Sequence, residues 1–146
     1  MDAKSSQSQG GFALIEALVA ITVFSFALIG MIAMQSAALT ASTESKWRSD
    51  AAYLATQIIG LVWSDRGNIA NYNHLNTGAP CTPGGAASDE PAVLAWLAEV
   101  SAALPGAISD VQSLAIGADN TLTVTICWKR AEDATYHQHV TVTQIN

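Results

Sequence analysis

Positive charge is scarce in this chain, and between Ala17 and Thr43 charge of either sign is missing altogether. Six Lys and Arg residues stand against twelve Asp and Glu, a formal net charge of −6 with a pI near 4.7. Past the apolar segment the basic residues are the isolated Lys46, Arg48 and Arg66 and the pair Lys129-Arg130. No basic stripe exists to follow a phosphate backbone, which argues against nucleic acid as a partner. Proline does not occur before Pro80, so the commonest helix breaker is missing from the first half. Cysteine occurs only twice, as Cys81 and Cys127, in a spacing and context unlike a zinc motif. No serine sits in a nucleophile-elbow sequence, no glycine-rich loop follows a strand, and no carboxylate pair is set out for acid–base work. The residues therefore name no catalytic centre and no cofactor. His137 and His139 share a face if they lie on a strand. A metal there would need a third ligand, from His74 or Asp133 in principle, and exposed strand histidines are the simpler reading.

What the chain does have is a long apolar run. From Phe12 to Met34 the residues are almost all Ala, Leu, Ile, Val, Phe and Met. As a helix this stretch reaches roughly 35 Å at ~1.5 Å per residue, enough to cross a hydrocarbon core of about 30 Å. One carboxylate, Glu16, lies a single turn inside its start. Placing an ionised carboxylate in lipid costs on the order of 2.5–3.5 kcal/mol at mid-bilayer and less near an interface. Such a group needs a counter-charge, and the only upstream cation is Lys4 on a short polar leader.

The leader and the sequence Gly10-Gly11-Phe12-Ala13-Leu14-Ile15-Glu16 resemble the class III signal of type IV pilins and pseudopilins. The resemblance implies that prepilin peptidase, a membrane enzyme, cuts between Gly11 and Phe12 and that the new amino group of Phe12 is methylated. The partner of Glu16 is then the Phe12 amine of a neighbouring subunit, which makes the buried carboxylate tolerable. An uncleaved signal anchor is the competing reading. A secretory signal peptide has a basic n-region and a shorter apolar core than this one, and a lipoprotein would carry a Cys at the end of the leader. Lys4 is offset by Asp2, so charge barely orients the span. Placement of the leader in the cytoplasm follows from the resemblance.

With the later residues in the periplasm, a disulfide between Cys81 and Cys127 is the default expectation. Closing a loop of about 46 residues stabilises by roughly 4 kcal/mol in the chain-entropy model. The alternative is two free thiols, one of them buried.

Removal of 11 leader residues and a membrane helix from 146 leaves roughly 110, enough for one small domain. After the polar patch Thr40-Ala41-Ser42-Thr43, Trp47, Ala51, Leu54, Ile58 and Leu61 recur at helical spacing. One extended helix is predicted from Phe12 to about Ser64, roughly 80 Å long, with Gly67 as its stop. Its hydrophobic half-helix covers residues 12–35 and its amphipathic half 36–65. The apolar face of the second half packs under the protein's own sheet, or else forms a seam to another subunit. Residues 66–110 are read as loop, with a short helix at about 89–104 capped by Ser88 or Asp89 and carrying Pro91 in its first turn. Residues 111–146 are read as antiparallel sheet: Val111–Ile116, Thr121–Lys129 with alternating Leu122, Val124, Ile126 and Trp128, and Tyr136–Thr143. Trp47, Trp63, Trp96 and Trp128 read as core. The fold class is α+β: a long N-terminal helix on a three- to four-stranded antiparallel sheet, as in the pilin fold.

Ile29-Gly30-Met31-Ile32-Ala33-Met34-Gln35, Ala52-Tyr53-Leu54-Ala55-Thr56-Gln57-Ile58-Ile59 and Val124-Thr125-Ile126-Cys127-Trp128 are similar to PilV-type minor pilins. That similarity implies a low-copy structural subunit that helps to start pilus assembly and so supports twitching motility and adhesion. It also implies the partners: the major pilin, other minor pilins, the inner-membrane assembly platform and the lipid bilayer. A minor pseudopilin of type II secretion is the nearest alternative. A membrane-tethered periplasmic domain that binds a ligand through residues 68–88 is the more distant one.

Overall fold

The computed structural model describes residues 10–146; residues 1–9, the larger part of the expected leader 1–11, lie outside the described residues. Two units meet between Thr43 and Glu44. The helix α1 (Gly10–Ser64) contributes its first part to one unit and its last turns to the other.

In the second unit, α1 is followed by a 3₁₀ segment (Arg66–Tyr72), the short strands β1 (Thr77–Ala79) and β2 (Thr82–Gly84) and helix α2 (Pro91–Ala103). Strands β3 (Ser113–Ile116), β4 (Thr121–Trp128) and β5 (His137–Gln144) complete it. β1 and β2 form a two-stranded antiparallel sheet, and β3-β4-β5 a three-stranded antiparallel meander. This is the α+β arrangement that the sequence predicts.

The last turns of α1 hold their helix with Glu44–Arg48 and Lys46–Asp50 ion pairs at i,i+4 spacing, 3.3 and 2.7 Å, each worth a few tenths of a kcal/mol. Their buried stripe is Ala51, Leu54, Ala55, Ile58 and Val62. Leu61 is partly exposed, so the stripe ends on Val62 one position later. From α2 come Val93, Trp96, Leu97 and Val100, and from β4 Leu122, Val124, Ile126 and Trp128, all within one core. Trp96 pins α2 to α1 by donating its indole N–H to the carbonyl of Leu54 at 2.9 Å. Trp47 and Trp63 pack on the rim of the same core.

Several boundaries differ from the sequence reading for identifiable reasons. Gly67 is not the stop of α1, because its φ is not positive and no left-handed cap forms there. The chain instead tightens around Asp65, whose carboxylate accepts from Asn68 Nδ2 at 2.8 Å and from the Tyr72 hydroxyl at 3.3 Å. Neither Ser88 nor Asp89 is the N-cap of α2; that position is Glu90, without a side-chain cap. The Ser88 hydroxyl accepts from the Glu90 N–H and donates to Asn71 O, tying the turn to the 3₁₀ segment. Residues 66–88 are not plain loop, since they hold that segment and the β1–β2 hairpin.

Val111 lies in a 3₁₀ turn (Ser109–Val111), so β3 begins at Ser113. The register Ser113↔Thr125 would set residue 111 opposite Cys127. That place in the ladder is taken by the buried amide of Gln112, which accepts from Cys127 N–H at 2.8 Å and donates to Cys127 O and Ile108 O at 3.0 Å each. After α2 the chain turns at Gly106 (φ +59°), where a Cβ would lie 2.5 Å from the Lys129 carbonyl oxygen, so only glycine fits.

Candidate functional site

In the first unit every described side chain from Phe12 to Thr43 is exposed. An apolar helix whose Phe, Leu, Ile, Val and Met side chains all face outward requires lipid or other apolar helices as surroundings. Its hydroxyls are hidden along the backbone: Thr22 donates to Leu18 O and Ser25 to Ile21 O, both at 2.7 Å. Thr40 and Thr43 do the same to Ser36 O and Leu39 O. Within Phe12–Met34, where Thr22 and Ser25 are the hydroxyl residues, such back-bonding leaves no free hydroxyl donor to solvate, as a hydrocarbon environment demands. Gly30 lies within the unbroken helix, and a Cβ there would meet nothing in this chain.

Glu16 is the single carboxylate of this surface. Phe12, Ile15, Glu16, Val19 and Ala20 line one shallow stripe along the helix, because positions three and four apart share a face. Among the described residues no cation lies within ion-pair distance of it. Gly11 and Phe12 belong to the same continuous helix. This places a bond between a glycine and an exposed aromatic residue one turn before an unpaired acid.

In the second unit the polar groups are used structurally. Cys81 and Cys127 form a disulfide with their Cα atoms 5.6 Å apart. With Val111 they make a small second core, against which Tyr136 packs, and this anchors the β1–β2 hairpin. His74 is buried; its Nδ1 accepts from Ser88 N–H at 3.1 Å and its Nε2 donates to Ser109 O at 3.2 Å. Both ring nitrogens are thereby occupied.

His137 stacks on Trp128 with ring centroids 5.9 Å apart. Its Nε2 lies 3.2 Å from Asp133 Oδ2 and its Nδ1 3.5 Å from Glu44 Oε1. The two carboxylates face opposite nitrogens of one ring and therefore have no common centre with it. His139 turns to the Thr141 hydroxyl at 2.9 Å. The structure does not bring His74, His137, His139 and Asp133 together as ligands, and among the described residues no group of three such side chains could hold a metal.

Asp133 receives Arg130 through Nη2 at 2.9 Å, Nε at 3.2 Å and the backbone N–H at 3.1 Å. The Arg130 guanidinium, then its backbone N–H, hold the Asp133 carboxyl well below the usual carboxylate range. Glu132-Asp133 lie in the turn between β4 and β5, and nothing local in the sequence shows that Glu44 comes to lie beside His137. Glu44 and His137 are 93 positions apart, and only packing of α1 on the sheet brings them close. Gln112 was missed for the same reason, since a glutamine in a strand-like run carries no signal that its side chain will replace a peptide group.

Residues 6–32 match the family model of the prokaryotic N-terminal methylation motif. The match covers the end of the expected leader and most of the apolar segment, and it supports a type IV pilin- or pseudopilin-like subunit anchored through its N-terminal helix. The family carrying this motif is structural, not enzymatic. No curated protein and no solved structure matches the chain.

Proposed function

We propose that the chain is a minor pilin of a type IV pilus, made as a membrane-anchored precursor and built into the fibre after processing. Residues 1–11 are the leader, and prepilin peptidase cuts between Gly11 and Phe12. The amine of Phe12 is then methylated. Residues 12–35 hold the precursor in the inner membrane, with residue 36 onward in the periplasm, and afterwards join the apolar helices of the fibre core. Starting assembly with other minor pilins and the major pilin on the inner-membrane platform is the role assigned, with twitching motility and surface adhesion as its consequences.

The observation that carries this reading is Glu16: one acid on an otherwise apolar, outward-facing helix, with no counter-charge among the described residues. Its pairing with the Phe12 amine of an adjacent subunit fixes axial register, because an unpaired charge in that core costs several kcal/mol. Apolar helix packing supplies cohesion, and the charge pair supplies alignment.

The reading is tested on the native protein. N-terminal sequencing should give methylated Phe12 as first residue; an intact Met1 would refute processing. Glu16→Ala should leave cleavage intact while removing the subunit from sheared fibres, and normal incorporation would refute the pairing. Gly11→Glu should yield only the uncleaved band. Deletion should impair twitching; a loss of exoprotein export with normal twitching would assign the chain to a type II secretion pseudopilus instead.

A further inference from the structure

The two edges of the β3-β4-β5 sheet are treated differently. Along β3 the outer edge is occupied: His74 and Leu114 exchange backbone hydrogen bonds at 2.9 Å, and Asn73 Oδ1 accepts from Ile116 N–H at 3.0 Å. Ser113 adds a bond from its hydroxyl to Leu75 O. Along β5 no other strand of the described residues pairs, so the far side of an eight-residue strand is open.

Exposed edges are normally guarded by a lysine, a proline or a bulge. His137–Gln144 contains no Lys or Pro, and its register with β4 runs unbroken through eight pairs. Its outer face carries Val140 and Val142, 45% and 61% exposed. Cross-strand partners share a face, so these valines lie on the side of Thr123 and Thr125, away from Leu122, Val124, Ile126 and Trp128. No carboxylate lies on this strand, in a chain of net charge −6. Two copies pairing along it would bring no acids into opposition.

The strand also reads nearly the same in both directions about Thr141, with His139 against Thr143 as the one mismatch. Around Thr141 the order is Gln138-His139-Val140-Thr141-Val142-Thr143-Gln144. An antiparallel two-fold pairing centred on Thr141 sets Val140 opposite Val142, His139 opposite Thr143, Gln138 opposite Gln144, and Thr141 opposite itself. The valine and glutamine pairs are like with like, His139 meets a hydroxyl, and each pair keeps its own face of the sheet.

We infer that β5 is a self-association edge, through which two copies of this chain join their three-stranded sheets into one six-stranded antiparallel sheet about a two-fold axis at Thr141. An edge about 24 Å long covers less than the roughly 1,200 Å² of stable dimers, so the contact is weak and depends on concentration. It is independent of the pilin reading, which rests on the N-terminal motif.

The test is symmetric cross-linking of the full chain, purified in detergent with Cys81 and Cys127 bonded to each other. In the proposed pairing the two Thr141 Cα atoms lie about 4.5–5.5 Å apart, within disulfide reach. The Thr141→Cys chain should form a disulfide-linked dimer at least ~10-fold faster than Gln144→Cys, whose two copies would lie about 20 Å apart along the strands. Adding Val140→Lys and Val142→Lys sets like charges opposite each other and should return the rate to that of Gln144→Cys. Equal rates for Thr141→Cys and Gln144→Cys, as mere sharing of a micelle would give, overturn the proposal, and so does absence of a dimer. Should Thr141→Cys fail to fold, a mixture of Val140→Cys and Val142→Cys chains replaces it. That mixture should cross-link faster than either chain alone, and no advantage for the mixture refutes the register.

Discussion

Replacing Gln112 with Leu tests how much of this small domain rests on a single side-chain amide. Gln112 is fully buried, and its three hydrogen bonds all go to backbone groups of Cys127 and Ile108. Leucine fills a similar volume but offers neither donor nor acceptor. The Cys127 N–H and C=O are then left unpaired at the end of the β3–β4 ladder, and the Ile108 carbonyl loses a donor. Each buried orphan costs about 1–3 kcal/mol, and the gain from burying a leucine returns about 1.5–3 kcal/mol. The Ile108 carbonyl still accepts from Val111 N–H, so two orphans remain and the net loss is expected at about 1–3 kcal/mol, a sizeable share of the ~5–15 kcal/mol typical of whole domains. Urea unfolding of the full chain in detergent, followed by tryptophan fluorescence, measures it, because Trp96 and Trp128 sit in the core. Gln112→Glu is the informative control. Its carboxylate keeps the bond from Cys127 N–H but faces two carbonyl oxygens, and burial raises its pKa above the unfolded value. Its deficit should therefore be largest near neutrality and shrink as the pH falls and the carboxyl becomes a donor. A loss below about 1 kcal/mol for Gln112→Leu, or a Gln112→Glu deficit that does not change with pH, would refute the view that the amide stands in for a strand residue.

Two further outcomes follow from the second unit. Removing the disulfide by Cys81→Ala with Cys127→Ala should lower stability by roughly 4 kcal/mol for a 46-residue closure. Reductant should move the wild-type unfolding midpoint in the same direction, whereas a midpoint indifferent to reductant would show that the hairpin holds itself. Asp133 has its carboxyl depressed by Arg130, so its contribution is present above the unfolded value near pH ~3.9 and is lost as the pH falls below it. Asp133→Asn should accordingly be less stable than wild type at neutral pH and converge with it in acid. Parallel melting curves from pH 7 down to pH 3 would check this, and a constant gap would contradict it.

The run from Phe12 to Met34, the lone Glu16 and the 3.6-residue stripe of α1 were readable because each depends only on near neighbours along the chain. The helix forms by local hydrogen bonds, and its apolar surface is a property of composition. The alternation of Leu122, Val124, Ile126 and Trp128 was readable for the same reason, since a strand displays its own period. Tertiary structure alone decided which face of β5 turns inward. The chain puts His137, His139, Thr141 and Thr143 on the side of the core strand's apolar residues and leaves Val140 and Val142 outside. A one-residue slip would have reversed this. Holding the register is work done by the turn after β4, where Arg130 and Asp133 close on each other and Lys129 N–H meets Pro105 O. Gln112 in the ladder, Glu44 beside His137 and His74 between Ser88 and Ser109 likewise exist only once distant segments meet. Their partners lie 14 to 93 positions away, beyond anything a local pattern can encode.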